Sequence, residues 1–481
     1  MSYQHFLNRT MAMIGLTMAL ALSVASAQNA PDISGSWRGV IKLGEADLRI
    51  RFQFERDENG NYSGSMDSID QGATGIPMTD IEVAGGQLSL KVPPAQATYT
   101  GQLLPGAQKI EGHWQQGPNQ LPLTLQRSYD EEKIQRPQEP TKPYPYRAEE
   151  IHFANAQADI ELAGTLTLPD GDGPFPAAVL ISGSGPQDRD EAFMSHRPFL
   201  VLADHLTRNG IAVLRYDDRG VGDSGGDFAT ATSADFATDA DAAVRYLAQR
   251  DEIDHQAIGL IGHSEGGLVA PMVAVDNDQV AYVVMMAGPG MSGMEIAVLQ
   301  MRMVMEYRGA SKASVEAAAD LYRSMNEMVA GKPAEEVSLE QLESAFAERW
   351  NALDENVREE LKQMGATGEL SDSRKSQLMS PWTRYFWAYD PAPTLRQLDC
   401  PVLAINGGKD VQMVAEPNLQ LIESSLAAGG NEHYEVRLMP GLNHLFQEAE
   451  TGLMTEYAKI EQTIAPAALT LMSDWIRQVT E

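Results

Sequence analysis

Apolar and polar positions alternate over residues 36–43, 48–54 and 87–92. A period of two puts one side of a strand into a core and the other into solvent. Turn formers such as Glu58-Asn59-Gly60-Asn61 separate these runs, and Gly112-His113-Trp114 and residues 121–125 add two more. Residues 31–128 therefore predict a small antiparallel barrel or sandwich. His113 stands alone there among strand residues and reads as structural. Residues 129–149 bring a charged run and Pro137, Pro140, Pro143 and Pro145, the composition of a semi-rigid linker.

From about residue 150 to 481 the pattern changes to short apolar runs alternating with amphipathic stretches. Strands are predicted at 160–168, 177–182, 212–216, 258–261, 282–286, 402–405 and 434–438, with helices at 197–209, 234–249, 267–275 and 466–479. Such alternation argues for an α/β fold with a mostly parallel sheet flanked by helices. One block departs from it. Between about 288 and 398 no convincing strand occurs, and residues 294–307, 313–330 and 339–363 look helical. An insertion at this point belongs over the active-site end of the sheet, as a lid. It is rich in methionine (Met291, Met294, Met301, Met303, Met305) and ends in Trp382, Tyr385, Phe386, Trp387 and Tyr389. Two readings of the methionines stay open: packing filler, or the adaptable lining of an apolar pocket.

Residues 1–27 read as a secretory signal, with Arg9 ahead of the apolar stretch 11–24 and Ala25-Ser26-Ala27 as the cleavage site. The apolar run is short for a membrane span, so the mature chain is expected to be periplasmic or secreted, with no membrane span. The 67 acidic against 36 basic residues give a net charge of −31, a surface that repels nucleic acid and anionic membranes. The single cysteine, Cys400, excludes an internal disulfide and any multi-cysteine metal site, and it opens an apolar run as a small buried residue would. No metal cluster, nucleotide loop or cofactor motif stands out, so no cofactor is expected.

The candidate chemistry centres on Gly262-His263-Ser264-Glu265-Gly266, which ends an apolar run and leads into a helical pattern. This is strand, sharp turn, helix, and it lifts a serine hydroxyl out of a sheet edge. The four-residue spacing is weak by itself, since Gly222-Asp223-Ser224-Gly225-Gly226 also fits. Ser224 resembles the serine motif of trypsin-like proteases, but those are all-β and usually disulfide-held, and no strand runs directly into Ser224. A serine hydroxyl needs a base, and the base an orienting carboxylate. In this arrangement the order along the chain is Ser, Asp, His. Past Ser264 the histidines are His433, which opens a strand, and His444, which follows one. A loop after a strand is where the base is required, so His444 is the candidate. Asp410 follows the strand 402–405 through a glycine turn, whereas Asp390 and Asp399 precede it. The oxyanion needs two backbone donors. The Glu265 amide is one, and the small-residue loop Ser182-Gly183-Ser184-Gly185-Pro186 offers the amide of Ser184 or, failing that, Gly185.

Taken with Ser182-Gly183-Ser184-Gly185-Pro186-Gln187-Asp188-Arg189-Asp190, Asp217-Asp218-Arg219-Gly220-Val221-Gly222-Asp223-Ser224, Gly407-Gly408-Lys409-Asp410 and Asn443-His444, these motifs resemble the α/β-hydrolase superfamily. Secreted bacterial esterases of its serine-aminopeptidase-like and dienelactone-hydrolase-like branch look most similar. The resemblance covers roughly residues 150–480 and implies a serine hydrolase cleaving small carboxylic esters by way of an acyl-enzyme. It also implies that the Asp-Arg-Gly-x-Gly-x-Ser stretch is a structural turn. Ser182 stands where many relatives have histidine. Two alternatives stay open: a peptidase using the same triad on short or N-blocked peptides, and a polymer- or glycan-binding role for the β domain. The acyl group, the alcohol and the oligomeric state are not legible.

Overall fold

The computed structural model describes residues 32–43, 46–57, 59–69, 73–117, 119–128 and 136–481. The signal segment 1–27 lies outside the described residues. The chain divides into two compact units between Ile134 and Gln135.

The first unit is a nine-stranded antiparallel sheet of β1 (Gly35–Leu43), β2 (Ala46–Arg56), β3 (Tyr62–Ser68), β4 (Ala73–Pro77), β5 (Thr79–Ala84), β6 (Gln87–Val92), β7 (Ala97–Leu103), β8 (Lys109–Gln116) and β9 (Asn119–Ser128). The order is β4-β3-β2-β1-β9-β8-β7-β6-β5. The two outermost strands are consecutive in sequence, joined only by Met78, whose N–H donates to Gly64 O (3.1 Å). The sheet therefore curls back on itself as a barrel does. The period-two apolar residues Trp37, Phe52, Phe54, Leu88, Leu90 and Trp114 are buried inside it.

The second unit carries an eight-stranded mixed sheet of β10 (Arg147–Asn155), β11 (Ile160–Leu168), β12 (Phe175–Ile181), β13 (Ala212–Tyr216), β14 (Ile253–His263), β15 (Val280–Met286), β16 (Val402–Gly407) and β17 (Tyr434–Met439). In the order β10-β11-β13-β12-β14-β15-β16-β17 only the β10–β11 and β11–β13 pairings are antiparallel. Neighbouring strand residues divide between two cores. Val179, Leu260, Val283 and Ala404 face the helices Ser233–Leu247, Gly266–Asp276 and Ala415–Gly429. Leu180, Ile261, Val284 and Ile405 face Pro198–Arg208 and Pro466–Thr480. A strand buried on both faces must be apolar throughout, which is why these strands read as continuous runs. Each fully buried Val, Leu or Ile side chain adds about 1.5–3 kcal/mol to the driving force.

Three expectations change. The predicted linker 129–149 is not one over its second half. Arg136 donates to the carbonyls of Ser195 and Ile460, and Gln138 donates to Ile464 O and accepts from Thr463 N–H, so this segment is docked on the α/β unit. Residues 147–149 already belong to β10, whose polar edge face hid it. The predicted helix 339–363 is two helices, Leu339–Ala352 and Glu355–Gln363, because Asp354 Oδ1 accepts Asn356 N–H (2.8 Å) and starts a new one. The insertion also contains Asp372–Met379 and Pro381–Ala388 beside Gly293–Tyr307 and Lys312–Val329. Serines 292, 311, 338, 371 and 380 cap five of its helices, each accepting a backbone N–H of the first turn.

Candidate active site

The site begins where β14 runs into Ser264 and the helix Gly266–Asp276 starts two residues later. Ser264 has φ +53°, a left-handed conformation costing on the order of 1–3 kcal/mol in a non-glycine residue. It is held there by its N–H to Met286 O (2.8 Å) and by Gly267 N–H to Ser264 O (2.9 Å). The flanking glycines are steric requirements. A Cβ on Gly262 would lie 1.9 Å from Gly266 O, and one on Gly266 would lie 2.1 Å from Ile181 O.

Asp410 follows β16, and its side chain is fully buried. Oδ1 accepts the N–H groups of Gln412 and Met413, each at 2.8 Å. Oδ2 meets His444 Nδ1 at 2.7 Å. A carboxylate facing Nδ1 makes that nitrogen the N–H donor, and the lone pair is left on Nε2. The loop bearing His444 follows β17 and is fixed by Asn443, whose Oδ1 accepts from Leu445 and Gln447 N–H and whose Nδ2 donates to Gln447 Oε1.

Ser264 and His444 both line a cavity of about 300 Å³. The structure thus brings together the three residues expected from three separate strand ends. Ser184 lines the same cavity, and Gly185 is not among its lining residues. Gly183 lies so close that a Cβ on it would be 3.2 Å from Ser264 Cβ. The Glu265 amide opens the helix Gly266–Asp276, where the first N–H groups have no intrahelical partner.

The insertion forms much of the wall through Trp382, Phe386, Trp387 and Tyr322, with Trp382 stacked on Phe386 at 5.0 Å. Of the methionines left open, Met301 and Met305 pack with Trp350 and Leu361, Met294 packs in the neighbouring core, and none of the five lines the cavity. Tyr385 and Tyr389 also stay out of it. Trp382 Nε1 donates to Glu265 Oε1 (2.7 Å), which also accepts Ser233 Oγ (2.6 Å), so the insertion is tied to the residue after the serine. Burial pushes the Glu265 carboxyl up against hydrogen bonds from the Ser233, Trp382 and Ser184 side chains. Asp218, behind the loop, is pushed up to about 8 by burial, although Ser182 Oγ and Gln187 N–H donate to it.

Ser224 is in a different place. Its buried Oγ donates to Asp217 O (2.7 Å) and accepts Ala163 N–H (2.9 Å). Exposed His433 and His113 are both outside the cavity lining. Two ionisable residues with no role assigned from the sequence also reach the cavity: Glu191 and His263. Glu191 lies 72 positions from His263, so no local pattern joins them. Among the described residues no group of three or more His, Cys, Asp or Glu side chains is arranged to hold a metal ion, and no helix is long and apolar enough to cross a membrane.

Residues 178–453, more than half of the chain, match the Alpha/beta hydrolase family. The chain belongs to that family. It is 28% identical over 302 residues to Esterase EstD of Thermotoga maritima, a match covering 62% of this chain and 61% of that protein's length. Among solved structures, the Pyrococcus furiosus esterase Pf2001 is similar over 73% of this chain and all of its own, with 15% identity and a TM-score of 0.41. The dienelactone hydrolase of Anabaena variabilis matches over 70% of this chain and 99% of its own, with 14% identity and a TM-score of 0.36.

Proposed function

We propose that this α/β hydrolase cleaves carboxylic esters through an acyl-enzyme intermediate. The observation that carries the reading is the joint geometry at the cavity. Ser264 sits on a strained turn, and His444 is held through Nδ1 by a buried Asp410 carboxylate at 2.7 Å. His444 Nε2 takes the proton of Ser264 as Oγ attacks the ester carbonyl. The oxyanion is met by the Glu265 amide and by the loop carrying Ser184 and Gly185. His444 then protonates the departing alcohol, activates a water against the acyl-enzyme, and returns the proton to Ser264. Asp410 stays ionised and stabilises the imidazolium. The relative named as an esterase supports the choice of ester over other acyl groups.

The peptidase alternative is weaker where it needs a free α-amino group. Such a group needs a carboxylate in the cavity, and Glu191 is the only one among its lining residues. Its Oε1 already accepts from His263 Nδ1 (2.8 Å) and Gly183 N–H (2.7 Å), and its Oε2, though without a hydrogen-bond partner, is buried away from the cavity space. Export after removal of residues 1–27 is part of the proposal, and N-terminal sequencing of the exported chain tests it. The activity itself is tested by assaying aryl esters beside aminoacyl amides with the wild type and Ser264→Ala. Ester turnover lost in the variant is the expected result. Amide turnover exceeding ester turnover, or an unchanged variant, overturns the reading.

A further inference from the structure

His263, next to the proposed nucleophile, is 5% exposed, and each of its ring nitrogens faces an oxygen. Nδ1 is 2.8 Å from Glu191 Oε1, and Nε2 is 3.0 Å from the backbone oxygen of His444. The His444 carbonyl has no proton and can only accept, and an ionised Glu191 carboxylate likewise only accepts, from His263 and from Gly183 N–H at 2.7 Å. A neutral imidazole has one N–H and would set a lone pair against one of these oxygens. Against an ionised Glu191, only the doubly protonated ring satisfies both contacts.

Three loops meet through this ring. Glu191 reaches the oxyanion loop at Gly183, His263 ends the strand that carries Ser264, and the His444 carbonyl belongs to the loop bearing the base. Glu191 is itself a built position. Its backbone is left-handed (φ +51°), and its N–H donates to Asp188 O (2.9 Å), in a turn where Asp188 Oδ1 accepts from Asp190 and Ala192 N–H. Strain of this kind persists where surroundings hold it and clusters at functional sites.

We propose that Glu191 and His263 form a buried carboxylate–imidazolium pair that positions the base loop and the oxyanion loop against Ser264. The inference rests on the reading of Ser264 and His444 given above. Neither residue touches the reacting atoms in this role; both act through the backbone of His444 and Gly183.

The charged groups around His263 are Glu191, the Asp410 carboxylate and the His444 ring, the last at 4.8 Å between centroids. Burial pulls His263 down, but the Glu191 carboxylate, by charge and hydrogen bond, and the His444 carbonyl hold it above the ordinary histidine value. His196 provides the contrast. It is also buried, but its ring faces Thr463 Oγ1, Tyr457 O and Gln447 with no carboxylate, and burial pushes it down to about 4. A group raised in the folded state contributes fully below its unfolded value and is lost as pH climbs through the raised one. The pair therefore persists above the ordinary histidine value and opens as pH climbs through the raised one.

The test is Glu191→Gln in the full chain, assayed on an aryl ester across about pH 6 to 9. Without the carboxylate, burial disfavours the charged ring, and a neutral His263 must give up one contact. The variant should lose about tenfold or more in kcat near neutral pH, with KM little changed. The deficit should narrow above the wild type's alkaline limb, where the wild type loses the same imidazolium. A deficit that is constant with pH, or no deficit, overturns the proposal. Should the variant fail to fold, ring-nitrogen NMR of the wild type decides: both nitrogens of His263 should stay protonated above the ordinary histidine value of about 6.5, and a ring that has lost one proton by that pH overturns the pair. Labelling of Ser264 by a fluorophosphonate separates the two readings. Labelled enzyme with an unaffected variant sinks the pair alone, whereas unlabelled Ser264 sinks the proposed hydrolase mechanism.

Discussion

Ser224 and Ser264 sit in the same Gly-x-Ser-x-Gly spacing forty residues apart, and the fold surrounds them differently. Ser264 has a strand behind it, a helix ahead of it, a left-handed backbone and a cavity in front. Ser224 lies in a turn closed by Gly220 N–H to Gly225 O and Ser224 N–H to Val221 O, both at 2.9 Å. Its hydroxyl spends both its proton and a lone pair on backbone, joining Asp217 to the edge of β11 at Ala163. The glycines differ as well. Around Ser264 they permit two backbones to touch, whereas Gly222 (φ +54°) makes room for the Asp217 carboxylate, 2.5 Å from where a Cβ would be. The spacing by itself says nothing; what distinguishes the two serines is whether a buried strand drives into the turn.

The largest expected effect breaks the comparison at its centre. Ser264→Ala should lower ester turnover by about 10⁴–10⁶ with folding intact, as triad knockouts do, and steady-state kinetics beside a thermal melt checks both halves. Asp410→Asn is next, at about 10⁴ in kcat, because the amide no longer fixes the Nδ1–H tautomer of His444. The Asp410→Asn variant should still show the wild-type fold by circular dichroism. A smaller effect separates the wall of the cavity from the filler behind it. Phe386→Ala should change the preference between short and long acyl esters by about 1–3 kcal/mol, read as a ratio of kcat/KM values. Met301→Ala should lower the melting temperature and leave that ratio alone, since Met301 packs away from the cavity. The smallest is Ser224→Ala. It leaves the Ala163 N–H and the Asp217 carbonyl without their partner and should cost about 1–3 kcal/mol by denaturant unfolding, with turnover per folded molecule retained.

Much of this architecture was legible because period and burial are coupled. The strands 160–168 and 212–216 have the predicted bounds, since Pro169-Asp170-Gly171 closes the first apolar run and Asp217-Asp218 the second. Strand β10 was missed because Arg147, Glu149, Glu150 and His152 make an edge strand look like the end of a linker. The helices Asp372–Met379 and Pro381–Ala388 escape the sequence reading because each is only 8 residues long, and of the aromatic cluster expected to wall the pocket Trp382, Phe386 and Trp387 do so while Tyr385 and Tyr389 do not. In the site, Ser264, Asp410 and His444 each follow a strand, so order and position single them out. Glu191 and His263 carry no such signal. Their relation is a tertiary contact between a loop carboxylate and a strand-end imidazole, and only the folded chain joins them. The tie from Trp382 to Glu265 is hidden for the same reason, 117 positions apart.

The central claim is that Ser264 is the activated serine and Ser224 is structural. Treating the intact protein with a fluorophosphonate probe and locating the adduct by peptide mass spectrometry tests it most directly, since the probe reacts only with a serine whose proton a base can take. The predicted result is a single adduct on Ser264, abolished by His444→Ala and unaffected by Ser224→Ala. An adduct on Ser224, or a folded protein in which Ser264 stays unlabelled, would contradict the account.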